Sequence, residues 1–227
     1  MQYINGLETF SAAGRSAVTL GKFDGLHKGH QKLVEKVTEY GRADGLNSIV
    51  CAFDMEPLCR RLNRPYQVLM TQEERKRHLE GQVDYLVSCP FTESFSQMSA
   101  EDFIRDVIAG LFQAAYVVVG TDFHFGYQKR GDVHMLAAYQ HIYDYQLEVV
   151  DKERYEDREI SSTFVKEALA AGDMALAETL LGYPYELEGT VEHGKKLGRT
   201  LSVVALEMTN DQGAVVATAT YTFFMLH

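Results

Sequence analysis

Along the chain, short continuous apolar runs alternate with stretches of helical spacing. Ser16 to Phe23 is a β-branched and apolar run that ends in glycine-bearing loop residues, and the stretch after it places Leu33, Val34 and Val37 at helical intervals. This predicts strand, loop, helix, with the helix beginning near Lys28. Asn47 to Phe53 is the next buried-strand candidate, residues 72–81 a polar helix and residues 83–91 a strand. Residues 99–112 read as a helix with Ser99 as N-cap and Asp102 at its third position, where an acid suits the helix dipole. Ala114 to Gly120 and Leu147 to Val150 are two more strands, and residues 161–182 close the series with two short helices split at Gly172. Strands alternating with helices predict an α/β fold with a parallel sheet covered on both faces.

After Pro184 the pattern changes to three strand-like runs, residues 186–193, 200–208 and 214–224, with no helical stretch between them. Asn210, Asp211 and Gly213 supply a hairpin turn between the last two. A boundary between Gly182 and Glu186 follows, with an α/β domain over residues 1–185 and a small antiparallel β appendage over residues 186–227. At 46% hydrophobic and 24% charged residues the chain can bury a sizeable core, which excludes disorder as its main state. A net charge of -10 argues against a nucleic-acid partner, yet it leaves room for a local basic site that holds a nucleotide. Cys51, Cys59 and Cys89 form no Cys-x-x-Cys pair, so neither a disulfide framework nor a zinc knuckle is indicated and a reducing, cytoplasmic setting fits. The first residues lack the pattern of a signal peptide, and no run approaches the roughly 20 apolar residues of a membrane span. A membrane partner is therefore not expected.

The stretch GKFDGLHKGH, Gly21 to His30, lies where the first parallel strand hands over to its helix. Ligands bind at that edge of open α/β sheets. Glycines 21, 25 and 29 let the backbone turn and approach a phosphate closely, and the helix start adds free N–H groups and a positive dipole end. His27 and His30, three apart, face the same side of a first turn and can both donate to phosphate oxygens. A solvated helix start or a zinc pair would use the same two histidines, but no third metal ligand recurs nearby. The pattern differs from the P-loop and from the dinucleotide-binding glycine motif.

This stretch resembles the Gly-x-Phe-Asp-Gly-x-His-x-Gly-His signature of bacterial FAD synthetases, within the superfamily of nucleotidyltransferases that carries the His-x-Gly-His motif. The resemblance continues in order through Phe53-Asp54 with Pro57, through Gly120 to Gly126 (Gly-Thr-Asp-Phe-His-Phe-Gly) with Gly131-Asp132, and through Ile160-Ser161-Ser162-Thr163 opening a helix. It implies a Rossmann-like nucleotidyltransferase domain over about the first 185 residues. The implied reaction is attack of the FMN phosphate on the α-phosphorus of ATP, giving FAD and pyrophosphate with Mg2+ carried mainly by phosphates and water.

By the same resemblance His27 and His30 contact the ATP phosphates, and Lys166 with Ser162 and Thr163 closes over the pyrophosphate side. Asp122 and Phe125 lie at the flavin phosphate and ring. Gly21, Phe23, Asp24, Gly25, Gly29 and Ser161 complete the implied binding set, and no protein-made metal site is implied. Two departures stand out. Lys166 occupies the position where the family usually has arginine, which keeps the charge but loses the planar fork, and Glu56 stands where a histidine is common before the proline. Without these motifs in working order, the chain would be a flavin- or nucleotide-binding module that has lost turnover. A related nucleotidyltransferase with another phosphate acceptor is the rival within enzymes. GTVEHGKKLGRTL, residues 189–201, resembles the approach to a riboflavin kinase β-barrel, but no Pro-Thr-Ala-Asn follows. The end of the chain also resembles, more weakly, the last strands of hotdog-fold thioesterases. The expectation is an incomplete kinase-like region without riboflavin kinase activity, whose apolar last strand could pair two copies of the chain into a homo-oligomer.

Overall fold

The computed structural model describes residues 1–8, 10–186, 201–209 and 215–224, the last two segments by backbone alone. Strands β1 (Gln2–Asn5), β2 (Ser16–Gly21), β3 (Asn47–Asp54), β4 (Tyr85–Pro90), β5 (Ala114–Gly120) and β6 (Gln146–Val150) form one sheet in the order β1-β4-β3-β2-β5-β6, parallel throughout. The continuous apolar runs correspond to strands buried on both sides, and residue parity decides which side each serves. Val18, Leu20, Ile49, Cys51, Val87, Cys89, Val117 and Val119 enter one core. Their alternates Val50, Ala52 and Leu86, with Ala17 and Val118, enter the cores on the other face.

Helix α1 (Lys28–Asp44) covers that second face through Val34 and Val37. It runs past Gly41, where a side chain would press on the Leu46 carbonyl and Ser48, and stops at Gly45 in left-handed backbone. Helices α2 (Glu56–Arg61) and α3 (Gln72–Leu79) follow β3, and α3 opens with a capping box between Thr71 and Glu74. After the single turn α4 (Glu93–Ser96) comes the helix expected over residues 99–112. It begins as α5 (Ala100–Asp102), capped by Ser99 as the sequence indicates, and continues as a π-helix over Phe103–Leu111. The wider turn stacks Phe103, Val107 and Ile108 against the sheet, with Phe112 closing the row.

Helix α6 (Val133–Tyr143) was not among the elements expected, because its sequence is apolar and polar in no clean helical stripe and only Leu136 is fully buried. Its signal is instead Asp132, which caps Met135 N–H. The chain then makes a two-strand hairpin, β7 (Arg154–Tyr155) and β8 (Arg158–Glu159), and two short helices, α7 (Ser162–Ala170) and α8 (Met174–Leu181), which break at Gly172 and end at Gly182 as expected. The first strand stops at Gly21 instead of Phe23, because Phe23 already has left-handed backbone.

Beyond residue 186, β9 (Leu201–Thr209) and β10 (Val215–Phe224) pair antiparallel in a sheet of their own, with Leu201 opposite Phe224. The hairpin turn at residues 210–214 and the kinase-like stretch over residues 189–200 lie outside the described residues. No helix among the described residues is long and apolar enough to cross a membrane.

The sheet order places a switch point between β2 and β5. The connection from β2 leads to α1 on one face, and that from β5 leads to α6 on the other, so their C-terminal ends flank a crevice. One wall is the turn after β5. There Phe125 exchanges both backbone hydrogen bonds with Gly131, and Gly126, with φ +72, packs its α-carbon onto the start of α5. A β-carbon at Gly126 would lie 2.7 Å from Ala100 backbone atoms. Gly126→Ala is expected to destabilise the fold by about 2 kcal/mol or more, combining overpacking with an unfavourable φ, as measured by urea unfolding.

Candidate active site

The loop from Lys22 to His27 leaves β2 at the crevice and delivers the chain to α1. Phe23 (φ 48), Gly25 (φ 79) and Leu26 (φ 38) all have left-handed backbone, which is costly for the two bulky residues. Both of their side chains are buried anchors, so burial offsets the backbone strain. Gly25 meets a different demand, because a β-carbon there would lie 2.6 Å from Leu69.

His27 is the residue before the first turn of α1. No side chain caps this helix start, and its first turn holds no acid. Free N–H groups and the positive dipole end thus face the crevice without a capping side chain. The His27 and His30 rings stack 3.7 Å apart at 22°, and the far side of His30 rests on Phe23. Gly29 lets the His27 ring lie close over the helix, since a β-carbon there would stand 3.3 Å from its Nδ1. Both Nδ1 atoms are buried without a hydrogen-bond partner. Burial lowers His27 to a pKa of about 4 against the opposing pull of Asp24, and burial, His27 and Arg75 together hold His30 well below its ordinary range. The pair is therefore neutral at physiological pH.

Asp24 is the knot of the site. One carboxylate oxygen accepts from Leu69 N–H at 2.6 Å, and the other takes the Lys166 ammonium at 2.7 Å. Lys166 also donates to the Gln67 carbonyl at 2.8 Å, so in this state it straps the 62–69 segment to the loop. Ser161 caps α7 by accepting from Phe164 N–H, while Ser162 donates its hydroxyl to the Asp24 carbonyl at 2.8 Å. Thr163 is exposed at the start of α7. The family's last motif is thus brought to the first one: His27, His30, Asp24, Ser162 and Lys166 meet at one sheet edge.

Gly120 ends β5 across the crevice, and the turn after it exposes Asp122, which pairs with Lys152 at 2.9 Å. Phe125, expected at the flavin ring, is only 5% exposed and packs on Phe103 and Phe123 in the core. Its contribution is to hold the turn, through the paired backbone with Gly131. Asp54, at the end of β3, accepts from Glu56 N–H, Tyr66 and Gln72. Glu56 itself turns to Arg60, one helical turn on, at 2.6 Å.

Four residues reach the site without belonging to any of its motifs: Gln31, Arg75 and Tyr183, which bond to carbonyls of the loop, and Lys152, which pairs with Asp122. Arg75 is a buried guanidinium, 5% exposed, in a helix whose sequence is almost wholly charged. The signal available was its spacing: it lies four residues before Leu79, the other buried residue of α3.

A parallel sheet with an anion-receptive helix start and paired histidines at its switch point defines a Rossmann-like domain of the nucleotidyltransferase type. The family model of FAD synthetase matches residues 10–164, and the chain belongs to that family. Among curated relatives, a bifunctional riboflavin kinase/FMN adenylyltransferase of Buchnera aphidicola (subsp. Acyrthosiphon pisum) is 32% identical over 205 residues, covering 89% of this chain and 66% of the relative. The protein of the same description from Escherichia coli K12 is 33% identical, covering 88% and 66%, and that of Pseudomonas fluorescens is 30% identical, covering 97% and 72%. The chain thus spans about two thirds of the length of these relatives. A crystal structure described as a macrolide-efflux protein from Streptococcus pneumoniae superposes with a TM-score of 0.76 at 29% identity, over 86% of this chain and 66% of that one.

The depressed pKa of His27 has a definite sign in stability. The unfolded histidine takes a proton near its ordinary value of 6.5, the folded one only near 4, so folding excludes that proton between the two. Stability is complete above about pH 6.5 and falls as the pH drops toward 4. In the ligand-free protein the His27 ring is expected to remain neutral at pH 6, with a midpoint near 4 in an NMR titration of its imidazole signals.

Proposed function

We propose that this chain transfers AMP from ATP to FMN, giving FAD and pyrophosphate. The supporting observation is the uncapped start of α1 beside two stacked, neutral histidines with unpartnered Nδ1 atoms, facing the crevice between β2 and β5. An anionic ligand would satisfy the free N–H groups of that helix start, and the relatives' descriptions name FMN adenylyltransferase. The work would fall to residues 1–185, with residues 186–227 a separate β unit that could also serve self-association.

A phosphate oxygen of FMN attacks the α-phosphorus of ATP as the bond to the β-phosphate breaks, and pyrophosphate leaves with the electron pair. No covalent intermediate with the protein is needed, so catalysis reduces to bringing two anions together and stabilising the charge that moves onto pyrophosphate. Amides at the start of α1, with Gly25 and Gly29 allowing close approach, would cradle the phosphates. His27 and His30 would donate to phosphate oxygens from one side. Lys166 would exchange Asp24 for the departing pyrophosphate, with Thr163 beside it and Ser161 and Ser162 holding α7 in place. Asp122, with the turn that Phe125 anchors, would meet the flavin side of the crevice, while Gly21, Phe23 and Asp24 shape the loop. Mg2+ enters with ATP as part of the substrate, carried by its phosphates and water. Free thiols at Cys51, Cys59 and Cys89 suit a reducing cytosol.

Incubation of the full chain with ATP, Mg2+ and FMN is expected to yield FAD and pyrophosphate, identified by chromatography. Absence of FAD in a single turnover at high enzyme concentration would refute the assignment. His27→Ala and His30→Ala should each slow AMP transfer about 100-fold or more. Lys166→Arg should retain or raise the rate, whereas Lys166→Ala should lower it.

A further inference from the structure

Every peptide carbonyl from Phe23 to Leu26 accepts a hydrogen bond from a side chain, and each donor comes from a different residue. Arg75 on α3 donates its Nε–H to the Phe23 carbonyl at 3.2 Å. Ser162 on α7 donates to that of Asp24 at 2.8 Å. The Tyr183 hydroxyl, just past α8, donates to that of Gly25 at 2.6 Å, and Gln31 on α1 donates to that of Leu26 at 2.8 Å. Gln31 spends its second amide proton on the Leu181 carbonyl, so the end of α8 is fixed to the same loop.

A carbonyl turned toward a polyphosphate repels it, whereas an N–H attracts it. Four consecutive carbonyls held by the protein cannot rotate toward the crevice. A loop with left-handed backbone at three of these four positions would otherwise relax. Two of the four donors are costly to place. Arg75 is a buried cation, its pKa lowered by burial against the pull of Asp24, Tyr66 and Asp54. Tyr183 has its phenol pushed up by burial, and its ring lies against His78 at 4.3 Å. The burial of a guanidinium beneath an anion-receptive loop also adds positive potential where negative charge is to be bound.

We propose that Arg75 and Tyr183 are positioning residues for the nucleotide: they act through the Phe23 and Gly25 carbonyls to hold the loop in the one conformation that receives the ATP phosphates. This deepens the AMP-transfer assignment and rests on it. Neither residue needs to touch substrate. The effect should therefore appear in recognition of ATP and not of FMN.

The test compares wild type, Tyr183→Phe, Arg75→Met and Arg75→Lys in the full chain, by steady-state FAD formation and by calorimetric binding of α,β-methylene ATP. Loss of one hydrogen bond in Tyr183→Phe should raise the KM for ATP and the Kd of the analogue by about five-fold. Arg75→Met should raise both by about ten-fold or more, since a charged donor is lost, and Arg75→Lys should recover part of the loss. The KM for FMN should stay within about two-fold of wild type, which a general loss of structure would not allow. Tyr183→Phe removes one oxygen and leaves the ring, so it decides the matter should Arg75→Met fail to fold. Unchanged ATP KM and analogue Kd in Tyr183→Phe, with FAD still formed by wild type, would overturn the proposal and leave the AMP-transfer assignment standing. A wild type that binds the analogue but forms no FAD would refute that assignment, while weaker analogue binding by Tyr183→Phe would still support positioning.

Discussion

The conformation of six residues between β2 and α1 is the constraint on which the rest of the site depends. Phe23 and Leu26 adopt backbone that costs a bulky residue roughly 1–2 kcal/mol each, and they adopt it because both side chains are buried in the same core, with Val34, Val50 and Leu86. With those two anchors set, the chain enters α1 with an uncapped first turn pointing into the crevice and with both histidines on one side. Asp24, caught between its anchored neighbours, then draws in Leu69 N–H and Lys166, and through Lys166 the Gln67 carbonyl. Three stretches distant in sequence are tied to one carboxylate.

The charges of the site are arranged to be incomplete. A buried carboxylate is balanced by a lysine, a buried guanidinium sits beneath the loop, and both histidines are kept from protonating by burial, His30 also by His27 and by that guanidinium. Unpaired acceptors and donors in a protein interior are expensive, and besides Thr19 and Ser88 the buried ones among the described residues are the Nδ1 atoms of His27 and His30. A bound polyphosphate would complete the uncapped helix start beside them. The fold supports this arrangement elsewhere by full satisfaction: the turn after β5 closes on itself through Phe125 and Gly131, and α3 and α6 are capped at their starts by Thr71 and Asp132.

The switch point gives the arrangement its location. Because β2 and β5 send their chains to opposite faces, the crevice opens between Gly21 and Gly120 by topology. Helix α7 reaches the same edge from much later in the chain, and its first residues contact the loop through Ser162 and Lys166. The segment after α8 does so through Tyr183.

Much of this was legible in the residues themselves. Continuous β-branched runs specify strands buried on both faces, since no helical stripe can be drawn through Ala114 to Gly120, and the glycine and histidine spacing of Gly21 to His30 marks the loop and helix start at the crevice. Ser99 and Gly172 mark helix boundaries because capping and chain breaking are local matters. Helix α6 was not legible, because its stability comes from packing of Leu136 and neighbours against a sheet that the local sequence does not contain. Nor could the sequence decide between a core and a flavin-side place for Phe125, or tell that Ser162 serves a carbonyl of the loop and that Arg75 is the buried member of a charged helix. Those assignments depend on which segments the sheet order brings together across 40 to 160 positions, and local pattern carries no information about a partner that distant. The sequence by itself determined most of the strands and helices and the motif at the crevice. Only the tertiary structure decided which side chains hold that motif in shape, because hydrogen bonding and burial at the loop are set by the meeting of chain segments that are far apart until the protein folds.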